Sequence, residues 1–269
     1  MKYKTQFLGE FLGTFILVLF GCGSVATSVL FNAYHGIIQI AMAWGLGVTL
    51  AIYLTRHLSC AHLNPAVSIA MAATGRMKAS SLPVYLFAQL SGAIFAGFAV
   101  FLLFGPSITA FESSHAIIRG NIESFKTARI FGEFYNTTDS SAVVTMPLAI
   151  AAEAFGTFLL LLMIFALTEG CNVGRPDDAI APVFIGLTVS SIICLVAPIT
   201  QAGLNPARDF GPRLVAWVTG WGKAAFPDAS GGFFFVYIFA PIVGGLLASL
   251  LFIKVIEPQM SKPSSGCNC

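Results

Sequence analysis

The sequence predicts an all-α membrane protein with six transmembrane helices plus two re-entrant half-helices in an inverted repeat. Of its 269 residues, 57% are hydrophobic and only 10% are charged, whereas a soluble domain carries roughly 25% charged residues. Six apolar segments are each long enough to span a bilayer, which takes about 20 residues. The tetrapeptide Leu-Asn-Pro-Ala occurs twice, at 63–66 and 204–207, each time after a long apolar run. These three observations together indicate the fold class.

The predicted spans are apolar runs with few charges. They cover about 7–30, 36–58, 82–104, 147–168, 180–200 and 233–255. The first run is longer than the apolar core of a signal peptide, so we expect it to be retained as a span. The net charge of +2 is too small to indicate a nucleic-acid partner.

Each copy of the tetrapeptide predicts the start of a short helix. Asn is a favoured N-cap, and Pro is favoured at the first helical position, where its missing N–H costs nothing. Asn64-Pro65-Ala66 and Asn205-Pro206-Ala207 should therefore open helices over about 64–75 and 205–217. These helices are too short to cross a bilayer. Half-helices entering from opposite faces fit the apolar motif better than amphipathic segments on the membrane surface.

The two halves of the chain also match around two acidic residues. Glu10 lies in Gly-Glu-Phe-Leu-Gly-Thr-Phe, and Glu153 lies 143 positions later in Ala-Glu-Ala-Phe-Gly-Thr-Phe. A unit of three spans crosses an odd number of times, so the second unit must be inverted. We expect a single channel domain over 1–269, with repeats at about 1–105 and 147–257, an ordered extracellular connection at about 106–146 and a tail at 258–269.

Glu10 and Glu153 fall inside predicted spans, where a carboxylate is costly and by default functional. A proton relay would require at least one of them to titrate. A structural role would have each accept hydrogen bonds from the backbone of the loop that precedes its Asn-Pro-Ala. The repeat favours the structural role, because each unit holds one such Glu and one such loop.

Two half-helices that meet at the midplane would direct two positive dipole ends to one place. The amides of Asn64 and Asn205 would face the lumen, beside carbonyls of extended backbone and opposite an apolar wall. The carbonyl stripe is predicted at Cys60, Ala61, His62 and Leu63, and at Gln201, Ala202, Gly203 and Leu204. Such a lumen suits a small neutral molecule with hydroxyl groups. The dipoles and Arg208 would repel cations and protons.

The sequence resembles the aquaporin family of major intrinsic proteins, and within it the glycerol-facilitator branch. The resemblance covers nearly the whole chain and is carried by the segments 41–47, 61–67, 118–124 and 205–213. Asp209 directly after Arg208, Arg213 four positions later and the long connection between the halves are typical of that branch. Asp209 is expected to be a structural partner of neighbouring N–H groups or of Arg213.

The resemblance implies a selectivity filter formed by Trp44, Ile193, Ala202 and Arg208. Trp44 and Arg208 match the filter residues of glycerol facilitators, and an arginine can donate to two hydroxyls at once. Ile193 stands where water-specific members have a His and glycerol facilitators typically a Gly. Ala202 stands where glycerol facilitators typically have a Phe. The filter therefore resembles that of plant nodulin-type members. Tyr237 is a further departure, since glycerol facilitators usually carry Pro there.

The family implies a passive, homotetrameric channel for glycerol and other small neutral solutes, with some water. It implies no cofactor and no metal. We expect a multi-pass protein of the plasma membrane, in bacteria the inner membrane, in contact with lipid. A modest excess of Lys and Arg places both termini in the cytoplasm. Two alternatives stay open: a water-selective aquaporin, and a proton-coupled inverted-repeat transporter. The sequence offers no nucleophile–base set that would indicate an enzyme.

Cysteines and one glycosylation pattern add little to the functional assignment. Four cysteines beside apolar runs are expected to be buried small residues rather than a disulfide framework: Cys22, Cys60, Cys171 and Cys194. Cys267 and Cys269 could bind a soft metal, although a disordered tail is the simpler interpretation. Asn136-Thr137-Thr138 matches a glycosylation acceptor, a frequent chance match.

Overall fold

The computed structural model describes residues 2–135, 143–226 and 231–260 of the chain. The predicted glycosylation acceptor at Asn136 and the tail cysteines Cys267 and Cys269 lie outside the described residues.

The described residues include six helices that are long and apolar enough to cross a membrane, which confirms the predicted spans. The first three in chain order are α1 (Lys2–Phe31), α2 (Ile37–Ser59) and α4 (Leu82–Ser114). The next two are α6 (Met146–Thr168) and α7 (Ala181–Thr200). The last span, Phe234–Gln259, contains the regular helix α9 (Ala240–Leu251).

The two half-helices are also present where the tetrapeptides predict them. Helix α3 runs from Pro65 to Ala73, and α8 runs from Pro206 to Ala216. With nine and eleven residues, they are too short to span a bilayer. Their placement confirms the fold class of six spans plus two re-entrant half-helices.

Helix α4 differs from its prediction at its C-terminal end. The third span was predicted to end near 104, and the connection to begin at 106, but α4 continues through Pro106 to Ser114. A proline inside a helix removes one backbone hydrogen bond and normally favours a break. Tertiary packing outweighs that cost, because Ile108 and Glu112 on the extra turns are both buried. The connection therefore begins after Ser114. Its short helix α5 (Phe125–Ala128) packs against the rest of the protein.

Small residues allow the helices to approach closely, in matching places of the two halves. A Cβ on Gly92 would lie 2.3 Å from the Phe11 carbonyl oxygen, and one on Gly244 would lie 2.0 Å from that of Ala154. Helices without side chains at their crossing point can bring their backbones into contact. These contacts join α1 to α4 and α6 to the last span. The core of each half thus brings a buried Glu next to the loop that precedes its half-helix.

Candidate functional site

The two half-helices begin next to each other, and each asparagine bonds to both halves. Asn64 Oδ1 accepts from the Ala66 N–H at 2.8 Å, and Asn205 Oδ1 accepts from the Ala207 N–H at 3.1 Å. Each side chain also donates across the junction: Asn64 Nδ2 to the Leu204 carbonyl at 2.9 Å, and Asn205 Nδ2 to that of Leu63 at 2.8 Å. An amide has two N–H donors. One donor on each asparagine therefore holds the halves together, and the second is left for the lumen.

The sequence analysis predicts extended backbone in the loops before the asparagines, and this prediction is wrong. Three of the four residues in each loop have a positive φ between 51° and 67°. They are Cys60, Ala61 and Leu63 in the first loop, and Gln201, Ala202 and Leu204 in the second. For residues other than glycine such a conformation costs of order 1–3 kcal/mol each. Strain of this size persists only where surrounding contacts over-determine the backbone.

In the first loop those contacts centre on Glu10, which is fully buried in α1. Its carboxylate accepts from the backbone N–H of His62 at 3.0 Å and from that of Leu63 at 2.7 Å. The Ser59 hydroxyl and the Gln89 side-chain amide each donate to it at 2.7 Å. The loop N–H groups have thus turned inward to the carboxylate, as the structural role of Glu10 requires.

Glu153 makes the same arrangement in the second loop. It is fully buried and accepts from the N–H groups of Gly203 at 2.8 Å and Leu204 at 2.7 Å. The Thr200 hydroxyl donates to it at 2.6 Å. Four donors thus converge on the Glu10 carboxylate and three on that of Glu153. These hydrogen bonds compensate part of the cost of removing the charge from water.

The four predicted filter residues lie together on one cavity: Trp44, Ile193, Ala202 and Arg208. The Arg208 guanidinium carbon is 3.9 Å from the centroid of the Trp44 ring. Both side chains are buried, and such stacking is more favourable when the cation is desolvated. A Cβ on Gly21 would lie 2.2 Å from the Trp44 ring, so the glycine leaves the space that the indole fills.

The cavity has a volume of about 700 Å³ and combines a polar stripe with an apolar wall. Asn64 and Asn205 line it, and so do the predicted carbonyl residues with the exception of Gln201. The Gln201 side chain instead accepts a hydrogen bond from the Phe134 N–H at 2.9 Å. The apolar wall includes Val48, Ile52, Val189, Leu160 and Ile164. The prolines and alanines of the two motifs are not part of the lining; they begin the half-helices.

Asp209 lies behind the filter rather than on the cavity. It accepts from Arg213 through both oxygens, at 2.7 and 3.1 Å, and from the Glu133 N–H at 2.8 Å. Arg213 in turn donates to the Glu133 carbonyl at 2.7 Å. These bonds attach the connection to α8, directly behind Arg208.

Glu133 is a site residue that the sequence analysis did not single out. Its carboxylate forms a buried ion pair with the Arg208 guanidinium. Burial raises the pKa of Glu133, and the charge of Arg208 opposes that shift. The residue is 75 positions from Arg208 and belongs to no motif; an acidic residue in the apolar run Ile-Phe-Gly-Glu-Phe-Tyr was the available signal.

The cysteine prediction was correct for one position of four. Cys22 is buried, but Cys171 and Cys194 are partly exposed, and Cys60 is exposed on the cavity wall. All four are free thiols. Cys60 ends α2 in a left-handed conformation, and it lines the lumen.

Comparison with known proteins agrees with this architecture. The family model described as major intrinsic protein matches residues 1–252. The chain is 38% identical to a propanediol uptake facilitator of Citrobacter freundii, over 98% of this chain and 96% of that protein. It is 40% identical to a glycerol uptake facilitator protein of Pseudomonas aeruginosa, over 91% of this chain and 86% of that protein.

A solved structure shows the same fold. The X-ray structure of the aquaglyceroporin from Plasmodium falciparum superposes with a TM-score of 0.83 and 28% identity, covering 96% of this chain and 98% of that one. Fold, paired half-helices and family model agree, and they describe a multi-pass membrane channel rather than an enzyme. The chain belongs to the major intrinsic protein family.

Proposed function

We propose that the protein is a passive channel for glycerol and similar small neutral solutes, with some passage of water. The observation that carries the proposal is the stacking of the Arg208 guanidinium on the Trp44 ring at the cavity wall. We call the part of the cavity that these two residues line together with Ile193 and Ala202 the constriction. A polyol passing this point would meet N–H donors from Arg208 and acceptors from the loop carbonyls. Its carbon backbone would pass along the aliphatic wall and the part of the indole that Arg208 leaves uncovered.

Propanediol is a second candidate solute. Its 1,2 isomer differs from glycerol by a methyl group in place of a hydroxymethyl group, so it needs one polar contact fewer. Ile193 and Ala202 give the constriction two aliphatic side chains, which suit a methyl group. The facilitator of Citrobacter freundii named above supports this choice.

The geometry also bears on the two alternatives. A proton-coupled mechanism needs Glu10 or Glu153 to bind a proton during transport. Each carboxylate instead is fully buried, lies outside the lining of the cavity, and accepts hydrogen bonds from two backbone N–H groups and a hydroxyl. A water-selective channel would be expected to have a second polar side chain at the constriction, where this chain has Ile193.

We further propose a homotetramer in the plasma membrane, in bacteria the inner membrane, with both termini in the cytoplasm. Large apolar side chains exposed along the spans, such as Phe95 and Leu102, would contact lipid or neighbouring subunits. The connection between the halves would then lie on the extracellular side.

Stopped-flow light scattering on proteoliposomes tests the solute. After shrinkage in sucrose, glycerol and propanediol gradients should give fast, non-saturating re-swelling, and an uncoupler should leave the rate unchanged. Water flux without re-swelling above that of empty liposomes would favour the water-selective alternative. Loss of re-swelling with the uncoupler would favour coupled transport.

A matched pair of variants tests whether solute uses this cavity. Val189 lies on the cavity wall, so Val189→Trp should obstruct the lumen and abolish both water and glycerol flux. Leu102 is 78% exposed on α4, so Leu102→Trp should retain both. Equal flux through the two variants would contradict the assigned path.

A further inference from the structure

The pairing of Glu133 with Arg208 places a second charged residue directly behind the constriction. Glu133 is 5% exposed and Arg208 is 4% exposed. One side of the guanidinium pairs with the carboxylate, and its face lies against the Trp44 ring at 3.9 Å. Burying two charges is costly unless each is paired with good geometry. The position of Arg208 is therefore defined by Glu133 and Trp44 together.

The segment around Glu133 does not depend on that side chain for its own position. The Glu133 N–H donates to Asp209 and its carbonyl accepts from Arg213, at 2.8 and 2.7 Å. A Cβ on Gly132 would lie 2.7 Å from the Arg213 guanidinium carbon, so a glycine permits this close approach. Main-chain bonds thus hold the segment in place, and the carboxylate remains available to bind Arg208.

We propose that Glu133 is a positioning residue of the constriction: it holds Arg208 against Trp44 and thereby sets how readily polyols pass relative to water. This inference rests on the proposed function. Without the carboxylate, the buried guanidinium would lose its charged partner. The loop carbonyls and the contents of the lumen are the acceptors that remain on the cavity side. Arg208 would then turn into the lumen and narrow it, which obstructs glycerol more than the smaller water molecule.

Glu112, on the last turns of α4 next to the connection, provides a matched control. It is also 5% exposed, pairs with Arg119 at 2.7 Å and accepts from the Thr127 hydroxyl at 2.6 Å. Like Glu133 it does not line the cavity, but its partner Arg119 does not line the cavity either, whereas Arg208 does. General loosening of the connection would affect a Glu112 variant and a Glu133 variant alike, whereas a positioning role concerns Glu133 alone.

The experiment measures glycerol and water permeability of the same proteoliposomes and compares their ratio. Glu133→Gln should lower the ratio of glycerol to water permeability by about fivefold, as expected when a neutral hydrogen bond replaces a charge-assisted one. Glu112→Gln should leave the ratio unchanged. Glu133→Asp keeps the charge but shortens the reach, so its ratio should lie between those of Glu133→Gln and the wild type.

A wild-type ratio in folded Glu133→Gln, or equal decreases in Glu133→Gln and Glu112→Gln, would overturn the positioning role. If Glu133→Gln fails to fold, a wild-type ratio in Glu133→Asp would overturn it. A wild-type protein without glycerol flux would overturn the proposed function and this inference together, whereas normal wild-type flux with an unaltered Glu133→Gln ratio overturns the inference alone.

Discussion

The first and second halves of the channel solve one structural problem in the same way and then diverge. In both, a buried Glu binds two loop N–H groups and one hydroxyl, from Ser59 in the first half and from Thr200 in the second. In both, a tyrosine hydroxyl donates to the carbonyl of that Ser or Thr: Tyr85 in the first half and Tyr237 in the second. The strained loops are therefore held by an equivalent set of contacts.

The divergence lies in what surrounds this shared unit. In the first half Gln89 donates to Glu10 and to Ser68, at 2.7 and 2.8 Å. The position of Ser68 in α3 corresponds to that of Asp209 in α8, which instead binds Arg213 and the backbone of the connection. Polar side chains in the first half thus support the loop from within, whereas those of the second half attach the connection and build the constriction.

This comparison separates the architecture of the channel from its selectivity. The position before Ser68 is Val67, and the corresponding position before Asp209 is Arg208; both residues line the cavity. The same location on a half-helix therefore presents an aliphatic group in one half and a paired cation in the other. We expect substitutions in the shared unit to affect folding, and substitutions of Arg208 and of the residues in contact with it to affect which solutes pass.

The largest effect is expected for Glu153→Gln. The amide would place N–H groups among donors from Gly203, Leu204 and Thr200, and hydrogen bonds to a charged group contribute about 1.5–3 kcal/mol each. We expect a marked decrease in the unfolding temperature of the detergent-solubilised protein and loss of glycerol flux in proteoliposomes.

Glu10→Gln should be similarly damaging but open to rescue, because Gln89 lies 2.7 Å from that carboxylate. The double variant Glu10→Gln with Gln89→Glu returns a carboxylate to the cluster and should recover part of the lost stability. The position of Gln89 corresponds to that of Pro241, which offers no such exchange in the second half. A double variant no more stable than Glu10→Gln would show that the carboxylate must come from α1.

The next prediction compares Arg208→Ala with Val67→Ala. Loss of the cation should lower glycerol permeability about tenfold, or about 1.4 kcal/mol in barrier, and should admit a proton leak, measured with a pH-sensitive dye inside the vesicles. Val67→Ala should change glycerol permeability less than about twofold, because water in the lumen can fill the space of two methyl groups.

A control is needed because Arg208→Ala leaves Glu133 buried without its partner, a change that destabilises by about 3–5 kcal/mol in comparable cases. The double variant Arg208→Ala with Glu133→Ala removes both charges and so separates folding from transport. If this folded double variant keeps wild-type glycerol flux and excludes protons, selectivity does not reside in the second half.

The features predictable from sequence are those with a local signal. Spans follow from apolar length, and the half-helices follow from Asn and Pro at their first positions. The left-handed loops were missed because Cys60, Ala61 and Leu63 carry no turn signal; tertiary hydrogen bonds impose that conformation. The pair of Glu133 with Arg208 joins distant parts of the chain, and the extension of α4 past Pro106 depends on packing against the connection.

The smallest effect is expected where the first half-helix ends. Arg76, shortly after α3, donates to Glu169 at 2.7 Å and lies 5.1 Å from the centroid of the Phe165 ring. The Arg76 guanidinium holds the pKa of Glu169 below its usual range. The stabilisation is therefore present above pH 4.5, the ordinary pKa of a glutamate, and is lost as the pH falls through the lowered value.

Glu169→Gln should accordingly destabilise the protein at pH 7 by less than about 1 kcal/mol, as is usual for partly exposed ion pairs. The difference in unfolding temperature between variant and wild type should disappear in acid and shrink in high salt, while the glycerol-to-water permeability ratio stays that of the wild type. A changed ratio would mean that the end of the first half-helix contributes to selectivity. The assignment of selectivity to Arg208 and the residues in contact with it would then fail.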